Sequence, residues 1–175
     1  MSELETWFAV QQWLAREARL LDGRQFDQWL ELLHRDVRYR IPDRSYRTQT
    51  EPRDFATWSV DAEIAPEHGL AFVDDDLGGL QRRVARLQSA MAWAETPASM
   101  TRRLVGDVIV DSDDGATLSV VSALFVVKAR RDERVLLTAE RRDRLAIATN
   151  GYQLRERLVV LDAVELPTEN LSLIL

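Results

Sequence analysis

TLSVVSALFVV at residues 117–127, VLLTAERRDRLAIAT at 135–149 and YQLRERLVVLD at 152–162 decide the fold class of this chain. Each run is rich in β-branched and apolar residues, as strands are. Short turn-forming stretches separate the runs, and the last is an Asn-Gly pair at 150–151, which favours a tight hairpin. A fourth run, LVGDVIV at 104–110, precedes them. Strands joined by such short turns pair antiparallel and twist strongly, so the last third predicts a curved antiparallel sheet.

The first 42 residues predict two helices followed by a strand. One apolar face of the first helix consists of Leu4, Phe8, Leu14, Ala18 and Leu21. Gly23 ends that helix, and apolar residues at helical spacing then indicate a short second helix, namely Phe26, Leu30 and Leu33. VRYRI at 37–41 alternates apolar and polar residues, which predicts a half-buried strand that ends at Pro42.

The middle of the chain predicts a short strand at 58–64 and a helix after the acidic run at 74–76. An Asp side chain at this point can cap the free N–H groups of the helix. The stripe on this helix is Leu77, Leu80, Val84 and Leu87. The charged runs RRDERV and ERRDRL are expected on solvated strand faces or in cross-strand pairs. The apolar LSLIL at 171–175 is expected to be buried, against the sheet or a neighbouring subunit.

Composition favours one α+β domain covering residues 1–175, with helices packed on the sheet. Apolar residues make up 46% and charged residues 30%, and no apolar run approaches the roughly 20 residues that cross a bilayer. A net charge of −6 argues against nucleic-acid binding. The acidic N-terminus lacks the features of a secretory signal and cysteine is absent, so a cytoplasmic location is expected.

The metal ligands available in this sequence are few. A Rieske cluster needs two Cys and two His, and a mononuclear iron site needs two His and a carboxylate. The chain has no Cys, and its two His residues, His34 and His68, have no spacing that indicates a shared site. We therefore expect neither a metal nor a cofactor in this chain.

Three stretches, in the same order, resemble the small (beta) subunits of bacterial aromatic-ring-hydroxylating dioxygenases. They are EARLLDGRQFDQWLELLHRDVRYRIP at 17–42, DDDLGGLQRRVARLQSAMAWAETPASMTRRLVGDVIV at 74–110 and GYQLRERLVVLDAVELPTENLSLIL at 151–175. Together they cover most of the chain. The sequence departs from the family pattern at Met100, Arg103 and Asp107, where Arg, His and Asn are common.

The resemblance implies a strongly curved sheet closed into a cone by the N-terminal helices, as in cystatin-like and nuclear transport factor-like proteins. It also implies a non-catalytic small subunit, present as a trimer beneath three large subunits in a hetero-hexamer. The large subunits would carry a Rieske cluster and a mononuclear iron and would convert an aromatic compound to a cis-dihydrodiol. Contacts with the large subunit are expected from Trp93, Pro97, Arg102 and Arg103.

Two alternatives stay open, because this fold also hosts metal-free isomerases, dehydratases and hydrolases as well as non-enzymatic ligand-binding homologues. In an enzyme, His34, Asp36 and Tyr39 could supply a general base and a hydrogen-bond donor, with Asp61 and His68 as further candidates. However, residues 36 and 39 should face opposite sides of a strand. A polar pocket converging on two or more acids or tyrosines within the cone would favour an enzyme.

Overall fold

Three helices, a 3-10 helix and six strands make up the computed structural model, which describes residues 2–46, 59–89, 99–166 and 173–175. In chain order they are α1 (Glu3–Asp22), α2 (Phe26–Leu30), β1 (Leu33–Pro42), the 3-10 helix (Val60–Glu63), β2 (Ala71–Asp76), α3 (Leu77–Gln88), β3 (Met100–Asp113), β4 (Thr117–Arg130), β5 (Glu133–Ala148) and β6 (Gly151–Leu161). The strand order is β2-β1-β6-β5-β4-β3. Among the described strands β1 and β6 pair in parallel, and every other neighbouring pair is antiparallel.

The sheet confirms the prediction for the last third of the chain. β4 and β5 keep one register from Thr117↔Ala146 to Arg130↔Glu133 without a bulge, so they form one long hairpin. The β5–β6 hairpin turns at the Asn-Gly pair, where Gly151 has a φ of 118°, a conformation that favours glycine. The predicted hairpin signal is therefore confirmed.

Helix α1 begins and ends where the sequence indicates. Ser2 and Glu5 form a capping box, in which the Glu5 N–H donates to Ser2 Oγ (3.3 Å) and the Ser2 N–H donates to Glu5 Oε2 (2.7 Å). At the other end, the Gly23 N–H donates to the Arg19 carbonyl at 2.8 Å. The second helix is shorter than predicted, since α2 ends at Leu30 and Leu33 already belongs to β1.

The predicted buried face of α1 is wrong in its first half. Leu4 and Phe8 are 73% and 57% exposed. The buried residues are Thr6, Val10, Trp13, Leu14, Glu17, Ala18, Leu20 and Leu21. This face begins at Thr6, and Leu4 and Phe8 each lie about 200° around the helix from it. The buried face includes the polar residues Thr6 and Glu17. A face predicted from apolar residues alone therefore points to a different side of the helix in its first half.

Two predictions for the middle of the chain need correction. In the described part of 58–64, the chain forms the 3-10 helix and makes one isolated bridge, between Ile64 and Arg44, so the predicted strand is wrong. Strand β2 was not predicted, because its acidic residues resemble a helix start; Asp74 and Asp75 in fact pair with β1. The cap itself is confirmed, since the Gly79 N–H donates to Asp76 Oδ1 at 2.8 Å.

The helices and the C-terminal residues pack against one face of the sheet, which we call the inner face. The described end of the LSLIL stretch, Leu173, Ile174 and Leu175, is 7%, 2% and 0% exposed, so the expected burial is confirmed there. Residues 171 and 172 lie outside the described part. Among the described helices, none is both long enough and apolar enough to cross a membrane.

Candidate functional site

The inner face of the sheet brings charged side chains into the core. Along β5 the inward residues are Leu137, Ala139, Arg141, Asp143 and Leu145. Arg141 and Asp143 are 1% and 2% exposed, and Arg157 on β6 and Glu17 on α1 are equally buried. These four residues, Glu17, Arg141, Asp143 and Arg157, are here called the ionic network.

Arg157 is at the centre of the ionic network. Its Nε and Nη2 atoms donate to Asp143 Oδ1 and Oδ2 at 2.8 and 2.7 Å, and the two residues lie opposite each other across β5 and β6. Its Nη1 and Nη2 atoms donate to Glu17 Oε1 and Oε2 at 2.6 and 2.9 Å. One guanidinium therefore bridges two carboxylates with charge-assisted hydrogen bonds. The expected cross-strand pairing within ERRDRL is confirmed for Asp143, but this pair is buried rather than solvated.

Glu17 receives two further donors. Arg141 Nη1 donates to its Oε2 at 3.2 Å, and Trp29 Nε1 donates to its Oε1 at 3.2 Å. Arg141 Nε is 3.4 Å from Ser122 Oγ, while Arg141 Nη2 has no hydrogen-bond partner in the described part of the chain. Glu17 is thus bonded to three side chains, from α2, β5 and β6. The network fixes α1 against the sheet.

The electrostatics of the ionic network keep Glu17 ionised near neutral pH. Burial by itself raises the pKa of Glu17, but the charges of Arg157 and Arg141 and the hydrogen bonds from Arg157 and Trp29 outweigh it. The pKa of Glu17 is thereby lowered from 4.5 to about 2. A carboxylate with so low a pKa, already held by two guanidinium groups, is a poor general base near neutral pH. Two positive and two negative charges also balance, so the network is suited to holding elements together.

Tyr39 and Arg103 bind the last three residues. The Tyr39 hydroxyl donates to the main-chain oxygen of Leu175 at 2.6 Å and accepts from the Leu175 N–H at 2.8 Å. Arg103 Nε and Nη2 donate to the Ile174 carbonyl at 3.2 and 2.6 Å. Burial raises the pKa of Tyr39, although the charge of Arg157 and the bond to Leu175 act in the opposite direction. Tyr39 therefore stays a neutral donor and acceptor.

The candidate residues of the enzyme alternative do not come together. The Asp36 N–H donates to His34 Nδ1 at 3.1 Å, and the Asp36 side chain is 60% exposed. Tyr39 lies on the inner face at 1% exposure, so residues 36 and 39 face opposite sides, as their spacing predicts. Asp61 pairs with Arg142 on the outer face of the sheet, and His68 is an exposed turn residue.

The expected interface residues have different surroundings. Arg102 is exposed on β3, which lies at the edge of the sheet. Arg103 is 6% exposed and donates within the chain, to Asp22 and to the Ile174 carbonyl. Trp93 and Pro97 lie outside the described residues. Their role as an interface stays a prediction.

The outer face of the sheet carries an open groove of about 540 Å³ beneath the 3-10 helix. Its walls contain as many acidic as basic side chains. Arg142 pairs with Asp61, and Arg38 pairs with Glu67. These four charged side chains therefore already have partners within the groove.

The ionic network was not predicted from the sequence, although the sequence contains two signals of it. Glu17 falls between Leu14 and Leu21 on the buried face of α1. Arg141 and Asp143 share the strand parity of the apolar residues of β5, so alternation placed them inside. Residues of this kind are rarely buried unless they are paired, which makes each a sign of a partner elsewhere in the core.

Comparison with known structures first places the chain in a fold class. It superimposes on an NTF2-like protein with a cystatin-like fold from Novosphingobium aromaticivorans with a TM-score of 0.60 at 12% identity, covering 93% of this chain and 85% of that one. It superimposes on a chain of naphthalene 1,2-dioxygenase with a TM-score of 0.82 at 22% identity, covering 100% and 88%. The expected fold, N-terminal helices on a curled, mainly antiparallel sheet, is confirmed.

Sequence similarity defines the family. A family model described as the ring hydroxylating beta subunit matches residues 16–168. The chain is 32% identical to the benzene 1,2-dioxygenase beta subunit of Pseudomonas putida over 167 residues, covering 93% of this chain and 85% of the relative. It is 32% identical to the beta subunit of N,N-dimethyl phenylurea N-demethylase from Sphingobium over 176 residues, covering 99% and 93%. The chain belongs to the family of ring-hydroxylating dioxygenase beta subunits, and the resemblance stated above is confirmed.

Proposed function

We propose that this chain is the small subunit of a terminal oxygenase in the cytoplasm, bound to a large subunit and associated with two further copies of itself in a hetero-hexamer. The family match over residues 16–168 is the observation that carries this proposal. The interior of the cone supports it, because every carboxylate of the ionic network is already bound by a guanidinium. The contribution of such a chain is to hold the assembly together, not to react.

The redox groups are proposed to belong to the large subunit. A Rieske cluster would need two Cys ligands, and this sequence has no Cys. In the described part of the chain, no group of three or more His, Asp or Glu side chains could hold a metal ion. The described residues of this chain therefore do not fit either iron centre.

The reaction we propose is cis-dihydroxylation of an aromatic compound by the large subunit. Relatives named as beta subunits of benzene and biphenyl dioxygenases support this choice. The equally similar beta subunit of a phenylurea N-demethylase indicates that one kind of small subunit accompanies different oxidations. Reaction and substrate are thus properties of the large subunit in this proposal.

Co-expression with a candidate large subunit from a neighbouring gene tests the proposal. We expect the two chains to co-elute in size-exclusion chromatography with light scattering, and the complex to show the visible absorption of a Rieske cluster. The chain expressed alone is expected to be colourless, with a mass of about 60 kDa, three times its 20.1 kDa. Separate elution with no shared peak would contradict the proposal.

Variants of exposed arginines make this experiment specific. Arg102→Ala is expected to weaken capture of the large subunit, because Arg102 is exposed on an edge strand and arginine is enriched in interfaces. Arg35→Ala is the matched control, since the Arg35 side chain is 86% exposed and is not among the expected contacts. Equal capture by both variants would contradict a role for Arg102.

A stand-alone enzyme is the less favoured alternative. Two acids and a tyrosine, Glu17, Asp143 and Tyr39, do converge inside the cone, as that alternative requires. However, they are 0%, 2% and 1% exposed, and their oxygens are bound by arginines and by Leu175. A substrate would have to displace these partners before it reached any of the three.

A further inference from the structure

The inner face of the sheet already holds a short peptide, the tail segment Leu173–Leu175. Its three side chains are buried, and its backbone is hydrogen-bonded to side chains of the sheet. Arg103 binds the Ile174 carbonyl through two nitrogens, and the Tyr39 hydroxyl binds both the N–H and the main-chain oxygen of Leu175. Arg157 Nη1 is a further donor, 3.4 Å from the main-chain oxygen of Leu175. Side chains that recognise successive backbone groups in this way form a peptide-binding site.

The groups that bind the tail segment are held in place by other parts of the protein. Arg103 Nη1 donates to Asp22 at the end of α1, and the Arg103 N–H donates to the same carboxylate at 2.9 Å. Arg157 is fixed by Asp143 and Glu17 through four hydrogen bonds. Both arginines are therefore held by groups outside the tail segment, so we expect the site to be preorganised for a peptide.

We propose that the inner face of the sheet is a binding site for a short apolar peptide, filled in this structure by the tail segment of the same chain. The ligand class follows from the contacts. It must offer two successive main-chain oxygens, one N–H and bulky aliphatic side chains. A second copy of the chain carries an identical segment, so the site has the chemistry to bind the tail of a neighbour. This inference does not depend on the proposed function, because it needs no large subunit.

The test displaces the tail segment in the full-length chain and offers a replacement. Ile174→Lys places a cation near Arg103 and Arg157 and in a position that is 2% exposed, so it should eject the segment. Ile147→Lys is the matched control, because Ile147 is 45% exposed on β5. The probe is a fluorescently labelled peptide with the sequence ENLSLIL, residues 169–175, and binding is followed by fluorescence anisotropy.

We expect saturable binding to the Ile174→Lys variant, at least tenfold tighter than to the wild type or to the Ile147→Lys variant, whose own segments occupy the site. Adding Tyr39→Phe to Ile174→Lys should weaken binding roughly tenfold, because two hydrogen bonds are lost while the ring is kept. Tyr46→Phe, at an 84% exposed position, should leave binding unchanged.

Three results would overturn the proposal. A folded Ile174→Lys variant that binds no peptide would show that no separable site exists. Equal binding of the reversed peptide LILSLNE would show that adhesion is unspecific. An Ile174→Lys variant that is unfolded by circular dichroism, and stays unfolded with excess peptide, would show that the segment is part of the core rather than a ligand.

Discussion

Replacing Glu17 by Gln should destabilise the protein by about 3–5 kcal/mol, the usual result of removing one partner from a buried ion pair. The substitution keeps the size of the side chain and removes one of the two negative charges of the ionic network. Arg141 and Arg157 then share the single carboxylate of Asp143, so one positive charge stays buried without a counter-charge. The new amide also points an N–H group at a guanidinium that is itself a donor. Small domains have about 5–15 kcal/mol of stability, so the loss is large.

Urea unfolding measures this effect, with tryptophan fluorescence and far-ultraviolet circular dichroism as two probes. Glu67→Gln is the matched control, because Glu67 forms an ion pair with Arg38 and its side chain is 67% exposed. An exposed pair of this kind contributes at most about 1 kcal/mol. The two variants share one chemical change, but Glu17 is buried and held by two arginines, whereas Glu67 is exposed and pairs with Arg38.

The double variant Glu17→Gln, Arg141→Met sharpens the test. Met removes the surplus positive charge and fills a similar volume, so the double variant should be more stable than Glu17→Gln alone. A coupling free energy of about 1 kcal/mol or more between residues 17 and 141 is expected for residues in one network. If Glu17→Gln matches Glu67→Gln, or if the two substitutions are additive, the ionic network does not stabilise the fold and the reasoning is wrong.

Two further predictions concern pH and the start of α3. The pKa of Glu17 is lowered from 4.5 to about 2 in the folded chain, so its contribution to the free energy of unfolding is present above pH 4.5 and is lost as the pH falls towards 2. Urea titrations from pH 6 to 2 should therefore show a loss of roughly 3 kcal/mol in the wild type that Glu17→Gln lacks. Gly79→Ala should destabilise although alanine favours helices by about 1 kcal/mol, since its Cβ would lie 2.6 Å from Asp75 Oδ1 and 2.8 Å from Asp75 Cβ. Gly78→Ala, whose nearest contact is a flexible arginine end at 3.3 Å, should stabilise, and equal melting temperatures for the two variants would contradict this steric argument.

Local signals account for what the sequence could predict. Hairpins depend on turn residues and strand alternation, both of which are local, so β3 to β6 were identified with their order. The end of α1 at Gly23 and the cap of α3 at Asp76 are also local features. Family resemblance supplied the closed cone and the role as a subunit, which spacing alone does not contain.

The errors arise where a distant contact overrides a local rule. Glu17 occupies the buried face of α1 because Arg141 and Arg157 on the sheet bind it, and Leu4 and Phe8 are exposed instead. Strand β2 is acidic, yet it pairs along β1, where Arg38 and Arg40 lie within 3.6 and 3.7 Å of Asp74. The ionic network is the same effect on a larger scale. Four charged residues are acceptable in the core because each finds its counterpart from another element.

The ionic network and the tail segment together fill the space inside the curled sheet, and this explains how the fold can serve as a structural subunit. Apolar side chains alone would pack inside such a sheet in many similar ways. Ion pairs are directional, so Arg157 fixes α1 through Glu17 and β5 through Asp143 in one arrangement. Tyr39 adds β1 and the tail segment to the same centre. We infer that the charges specify how the elements pack around the interior, and that binding to the large subunit is left to the outer surface, where Arg102 lies.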